Sequence, residues 1–218
     1  MSEVQELEYV VLTLEDHDDV VHFLVNYFYP RNNVVIASRC SSEAALSADL
    51  KHIEVCLTSG LSTGARDKTT KTLVAIVLAC DYEHCVEVPQ KPENEDEIFR
   101  ARNIIRNLTD EVVDTKKDRI LYCTRICVHP DYGRQGVSTK ILELCLDAGI
   151  KQGFTLACAI SGNPFSETTC LRLGFQNTRT LDVNTLEKGL FDLSRMNYKI
   201  FKFFTKHLGP ETILSSKL

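Results

Sequence analysis

The segment Arg119–Lys151 constrains this chain more than any other stretch, because it reads as strand, turn and helix in one run. Ile120 to Val128 is apolar and β-prone, and His129-Pro130 ends it. A polar turn follows, Asp131-Tyr132-Gly133-Arg134-Gln135-Gly136. Val137, Ile141, Leu142, Leu144 and Cys145 then recur at helical spacing up to Gly149. The first N–H groups of a helix have no partner inside it, and the helix dipole adds partial positive charge there. A turn of this kind aims backbone N–H groups at one point, and an anion, most often a phosphate, is the natural ligand. Gly133 and Gly136 leave room for close backbone approach, and the hydroxyls of Ser138 and Thr139 are further candidate donors.

The two commonest phosphate turns, GxxxxGK[ST] and GxGxxG, are absent. The residues present resemble the acyl-CoA signature of the GNAT superfamily of N-acyltransferases, Q/R-x-x-G-x-G/A after a strand ending in valine and a proline turn. Val128, Pro130, Gly136 and Ser138 fall in register; Gly133 replaces the leading Gln/Arg, and Ser138 the last small residue. A second stretch, Ala159–Phe175, lies one helix later and holds Asn163 and Leu173-Gly174-Phe175, as the family's following segment does. The S-x-x-x-x-x-x-L-G-F pattern from Ser166 resembles the invertebrate arylalkylamine N-acetyltransferase branch, and so does the helix end at Tyr27-Phe28.

The resemblance implies a GNAT-like three-layer α/β (α+β) fold: a mixed, mostly antiparallel sheet with splayed central strands, flanked by helices. It implies acetyl-CoA as cosubstrate, held by Ile126, Cys127, Val128, Arg134, Gln135, Gly136, Val137, Ser138, Thr139, Asn163 and Ser166. It implies direct transfer in a ternary complex to a small primary amine, an arylalkylamine or polyamine. The backbone N–H of Cys127 or Val128 would meet the developing oxyanion. Ser166 is the candidate catalytic residue, and a helix N-cap is its alternative role. Tyr27, Tyr29 and Arg31 are candidate acceptor contacts.

One position departs from the branch. The expected general base is a Glu just after the first helix, and Arg31 stands there. An alkylammonium titrates near pH 10, so about a thousandth is neutral at pH 7 and a base must take its proton. The base therefore lies elsewhere, or the acceptor is not a simple biogenic amine, or the chain is a non-catalytic acyl-CoA-binding module. A protein or amino-acid N-acyltransferase is a further alternative.

The rest of the chain bounds these readings. Its 218 residues predict one domain over 1–218 with a sizeable core. A net charge of −5 and the lack of a basic block argue against nucleic acid. No apolar run reaches the ~18 residues of a membrane span. The nine scattered cysteines and the acidic N-terminus predict reduced, buried thiols in a cytoplasmic protein. No metal is expected: His17, His22 and His129 lack partners at ligand spacing, and Cys80 and Cys85 lack zinc spacing. The oligomeric state is left open, a monomer included.

Along the chain, strands are predicted at Leu7–Leu14, Thr70–Asp81, Phe154–Ile160 and Asn197–Phe204 besides the central one. Helices are predicted at Val20–Phe28, from a Ser41 or Ser42 cap to Thr58, at Ile98–Val113 and at Ser166–Leu173. Gly60–Asp67 reads as a loop and His84–Glu97 as a polar surface excursion.

Overall fold

A computed structural model describes residues 6–86, 97–186 and 191–209. In chain order the main elements are β1 Leu7–Val11, α1 His17–Phe23, α2 Asn33–Ala37, α3 Ser42–Thr58, β2 Thr63–Asp67, β3 Leu73–Asp81, α4 Glu97–Asp110, β4 Ile120–Val128, α5 Val137–Lys151, β5 Leu156–Ser161, α6 Pro164–Arg172, β6 Gln176–Asp182 and β7 Ile200–His207. The strands form one sheet in the order β1-β2-β3-β4-β5-β7-β6. Every pairing is antiparallel except β4 with β5. Helices cover both faces, so the fold is the three-layer α/β arrangement expected.

Local chemistry explains most boundaries. Ser41 Oγ accepts from the Ala44 amide at 3.1 Å and starts α3. α1 runs on through a π-helical turn at Leu24–Phe28 and a 3₁₀ turn at Tyr29–Arg31, where Pro30 ends regular helix. Asn32 then caps the short α2, which the residue pattern had not announced. The excursion predicted at His84–Glu97 begins with a 3₁₀ turn at His84–Val86; residues 87–96 lie outside the described part of the chain.

One predicted loop and one stretch given no assignment hold strands. Gly60–Asp67 contains β2, which pairs with both β1 and β3. Its Gly64 looked like a loop residue, yet a Cβ there would stand 2.9 Å from the Ala75 carbonyl oxygen. Glycine is present because two strands and the Leu12 and Leu73 side chains converge on that point. β6 is mostly exposed and polar, so it carries no apolar alternation.

Two cores hold the layers. Val137, Ile141, Leu142, Cys145 and Leu146 of α5 pack with Val77, Ala79, Leu121 and Cys123 on one face. Phe23, Leu24, Ile53, Cys56 and Leu57 pack with Ile76, Leu78 and Cys80 on the other.

The consequential irregularity is in β4. Leu78 faces Arg125 and Ala79 faces Cys123, so Thr124 is an extra residue, a β-bulge. The β4–β5 pairing stops at Cys123↔Ala159, at the bulge. Beyond it β4 continues to Val128 with no strand on that side among the described residues.

Gly64→Ala is expected to destabilise the chain by about 1–3 kcal/mol, since the backbone must shift to admit the methyl. Urea unfolding would measure it, and an unchanged midpoint would show that β2 and β3 separate freely.

Candidate active site

The site begins in the gap opened at Thr124. His129 N donates to Val74 O at 2.8 Å, which fixes the alternation of the β3–β4 ladder. The Cys127 N–H therefore faces Ile76, while the N–H groups of Ile126 and Val128 face the gap. Of the two amides named as oxyanion donors, the geometry leaves only Val128 available.

At the end of β4 the chain turns through Pro130–Tyr132 into α5. Tyr132 donates to Asp67 Oδ2 at 2.9 Å and ties the turn to β2. Arg134 and Gly136 both take left-handed backbone angles, φ 62° and 77°. Gly136 is the N-cap of α5, and no side chain caps that helix. Among the described residues, none of the amides from Arg134 to Thr139 has an acceptor within the protein. A Cβ on Gly136 would meet nothing within 4 Å. The turn is thus an open nest of free donors at a helix N-terminus.

A cavity of about 980 Å³ runs from this nest, along the β4–β5 gap, to the end of α1 and the face of α3. It is lined by Ile126, Cys127, Val128, Arg134, Gly136, Val137, Ser138, Asn163, Ser166, Tyr27, Tyr29 and Arg31, all singled out in the sequence. Gln135 and Thr139 belong to the nest through their amides but do not line the cavity.

Several of these side chains are engaged. Asn163 Oδ1 accepts from the amides of Phe165 and Ser166 at 3.0 and 2.9 Å. Asn163, not Ser166, is therefore the cap of α6. Ser166 Oγ lies 2.5 Å from Ser161 Oγ, on the cavity wall. Ser138 Oγ pairs with Thr169 Oγ1 at 3.0 Å, so its hydroxyl braces α5 against α6.

The far end of the cavity is organised by a charge pair invisible to motif reading. Arg125 Nη2 donates to both oxygens of Asp49, at 2.8 and 2.9 Å, and Tyr29 donates to Asp49 Oδ2 at 2.9 Å. Asp49 and Tyr29 are buried. Arg31 reaches across from α1: Nε donates to Tyr27 O at 2.5 Å, and Nη2 lies 3.2 Å from both Val128 O and Cys127 Sγ. The guanidinium clamps α1 to the tip of β4. Tyr27, Phe28, Tyr82, Tyr122 and Tyr198 add aromatic wall. His52, from α3, also lines it and contacts Thr124 Oγ1 at 2.9 Å. The signal for Asp49 and His52 was present as polar residues three apart on a helix otherwise packed by Ile53, Cys56 and Leu57.

The cavity thiols are poor nucleophiles. Burial pushes Cys127 up to about 11 despite the neighbouring Arg31 cation. Burial likewise pushes Cys170 up to about 12. Neither is a thiolate at neutral pH, which disfavours an acyl-enzyme.

Residues 96–175 match the Acetyltransferase (GNAT) family model. No curated protein sequence matches the chain. Among solved structures, a mosquito arylalkylamine N-acetyltransferase like 5b is similar at 18% identity and TM-score 0.80, over 93% of this chain and 100% of that one. A Drosophila melanogaster polyamine N-acetyltransferase that forms N-acetylagmatine is similar at 18% identity and TM-score 0.78, over 93% and 100%. Arylalkylamine N-acetyltransferase 2 from Aedes aegypti follows at 14% identity and TM-score 0.72, over 94% and 100%. At these identities the likeness is one of fold.

Asp49→Ala leaves Arg125 largely buried without its carboxylate and is expected to cost about 3–5 kcal/mol. Chemical denaturation should show that loss, with most of it recovered in Asp49→Leu/Arg125→Met. A single variant as stable as the parent would mean that water already solvates the pair.

Proposed function

We propose that this chain, whose residues 96–175 match the GNAT acetyltransferase family model and whose fold is that of known N-acetyltransferase structures, transfers an acetyl group from acetyl-CoA to a small primary amine. GNAT enzymes use acetyl-CoA, which supplies the acetyl group as a thioester. The observation that carries the reading is the run of free amides from Arg134 to Thr139, which shares one cavity with the edge of β4 that β5 leaves uncovered. The nest is suited to a diphosphate, and the Ile126 and Val128 backbone to an extended amide-bearing arm. Val128 N–H is the donor for the developing oxyanion. Ser166, on the Ser161 hydroxyl, orients the thiol end or lends it a hydrogen bond.

Residues 1–218 act as one domain in this reading, in the reducing cytoplasm that its free thiols favour. Transfer is direct, because the cavity thiols stay protonated. Of the two amine classes, the lining favours an arylalkylamine. Its aromatic rings suit a flat apolar body. A polyamine needs carboxylates, and among the described lining residues the one carboxylate, Asp49, is already neutralised by Arg125. No membrane or nucleic-acid partner enters the proposal.

A specific observation favours a second reading. Arg31 occupies the position where the related branch carries its carboxylate base, and it is held in place by main-chain carbonyls. A chain without a base would bind acyl-CoA and not turn it over.

Calorimetry with acetyl-CoA, followed by thiol release on a panel of arylalkylamines and polyamines, separates the readings. Binding plus release, fastest on arylalkylamines, supports the transferase. Binding without release on any amine supports the binding module, and no binding overturns both. Gly136→Val puts a branched side chain on a left-handed residue and into the nest, and should weaken acetyl-CoA binding about tenfold or more. Arg31→Gln removes a screened cation near an ammonium substrate and should raise kcat/KM for an arylalkylamine about three- to tenfold. An unchanged or lower value would mean that the α1–β4 clamp matters more than the charge.

A further inference from the structure

Behind the acceptor end of the cavity, α3 and β3 enclose a cluster that acyl transfer does not use. His52 and Cys56 lie four residues apart on one face of α3, and Cys80 faces them from β3. One ligand atom from each of these residues lies within 4.8 Å of the other two. Cys56 and Cys80 are completely buried, at 0% exposure, and neither has an oxidised partner. The Cys80 thiol neighbours those of both Cys56 and Cys85. Cys85 Sγ in turn lies 3.6 Å from His52 Nδ1, which closes a ring of three thiols and an imidazole.

We propose that His52, Cys56 and Cys80 form a binding site for a thiophilic divalent cation, zinc foremost, with Cys85 behind the imidazole as its hydrogen-bond partner.

The distances fit. Zn–N and Zn–S bonds of about 2.1 and 2.3 Å at the tetrahedral angle put nitrogen and sulfur about 3.6 Å apart. His52 Nε2 and Cys56 Sγ are separated by 3.5 Å. The hydrogen bonds fit too. Thr124 donates to Leu78 O at 3.2 Å, so Thr124 Oγ1 accepts from His52 Nε2–H and leaves Nδ1 to accept from Cys85. With a metal on Nε2 the tautomer reverses: Nδ1–H donates to Cys85 Sγ, the outer partner that ligating histidines require. The charge also balances. The cation displaces one proton from each of Cys56 and Cys80, both released to solvent, and two thiolates neutralise the ion in an apolar core. The fourth position falls to Thr124 Oγ1 or to a water at the cavity wall, since His52, Cys85 and Thr124 all line that cavity. An ion there would fix the bulge residue of β4 from behind.

The i,i+4 spacing of His52 and Cys56 was legible in the sequence, but their partner Cys80 comes from a strand two elements later. Spacing rules for zinc hairpins do not find such a site.

The test uses the full chain, stripped with chelator under reducing conditions and titrated with Co²⁺. The expected result is one cobalt per chain, with a thiolate-to-cobalt charge-transfer band and tetrahedral d–d bands, both abolished by Zn²⁺. Cys56→Ser and Cys80→Ser should each remove the charge-transfer intensity. Those residues are buried, so His52→Gln on the cavity wall serves as the variant that leaves the core intact. It should weaken cobalt binding by more than about tenfold, and Cys85→Ser by about tenfold. Weak octahedral bands without charge transfer in the parent chain would overturn the site. So would an undiminished charge-transfer band in Cys56→Ser/Cys80→Ser, which would put the cobalt on other thiols.

Discussion

The extra residue at Thr124 is the constraint on which the rest of the molecule depends. A strand in the middle of a sheet normally satisfies its main chain on both sides. Once the bulge steps β4 away from β5, the groups of Ile126 and Val128 that point toward the gap have no ladder partner. Main-chain groups without a ladder partner on a cavity wall are suited to a hydrogen-bonding ligand or water. The same strand delivers the chain to the turn at Gly136, where a second set of amides is left free. Two separate sets of main-chain donors, one in the middle of the sheet and one at a helix N-terminus, thus face the same cavity.

Charge organises the other end. Arg125 sits next to the bulge residue, and its cation is matched by Asp49 from α3 and steadied by Tyr29. Arg31 is held differently, by the carbonyls of Tyr27 and Val128. The first arrangement neutralises the one acid of the described lining; the second places an exposed cation at the rim. In the proposed reading an acceptor entering here would meet aromatic walls and positive charge, which a compact aromatic amine would tolerate better than a polycation.

Similarity of fold at 18% identity is compatible with a site made by the main chain. A site built from main-chain amides needs a backbone path, a glycine with positive φ and an apolar helix face behind it. Side chains around it can change freely. Gly133 in place of a long polar residue and Ser138 in place of a smaller one leave the nest intact, because neither position acts through its side chain on the ligand side.

Periodicity and turn chemistry in the sequence alone determined the strand–turn–helix of β4 and α5, a cap at Ser41 or Ser42, the buried strand β3 and the glycine turn that opens α5 at Gly136. These depend on neighbours in the chain, whose spacing is printed in it. Tertiary structure alone decided that Gly60–Asp67 holds a strand, since Gly64 is required by the approach of β3 and not by a turn. It decided that Asn163 caps α6 while Ser166 turns to Ser161, and that Val128 and not Cys127 offers its amide to the gap. It brought Asp49 to Arg125 across 76 positions, and His52 and Cys56 to Cys80. Such pairings are set by which faces of a helix and a sheet are pressed together, and no local pattern of residues encodes that choice.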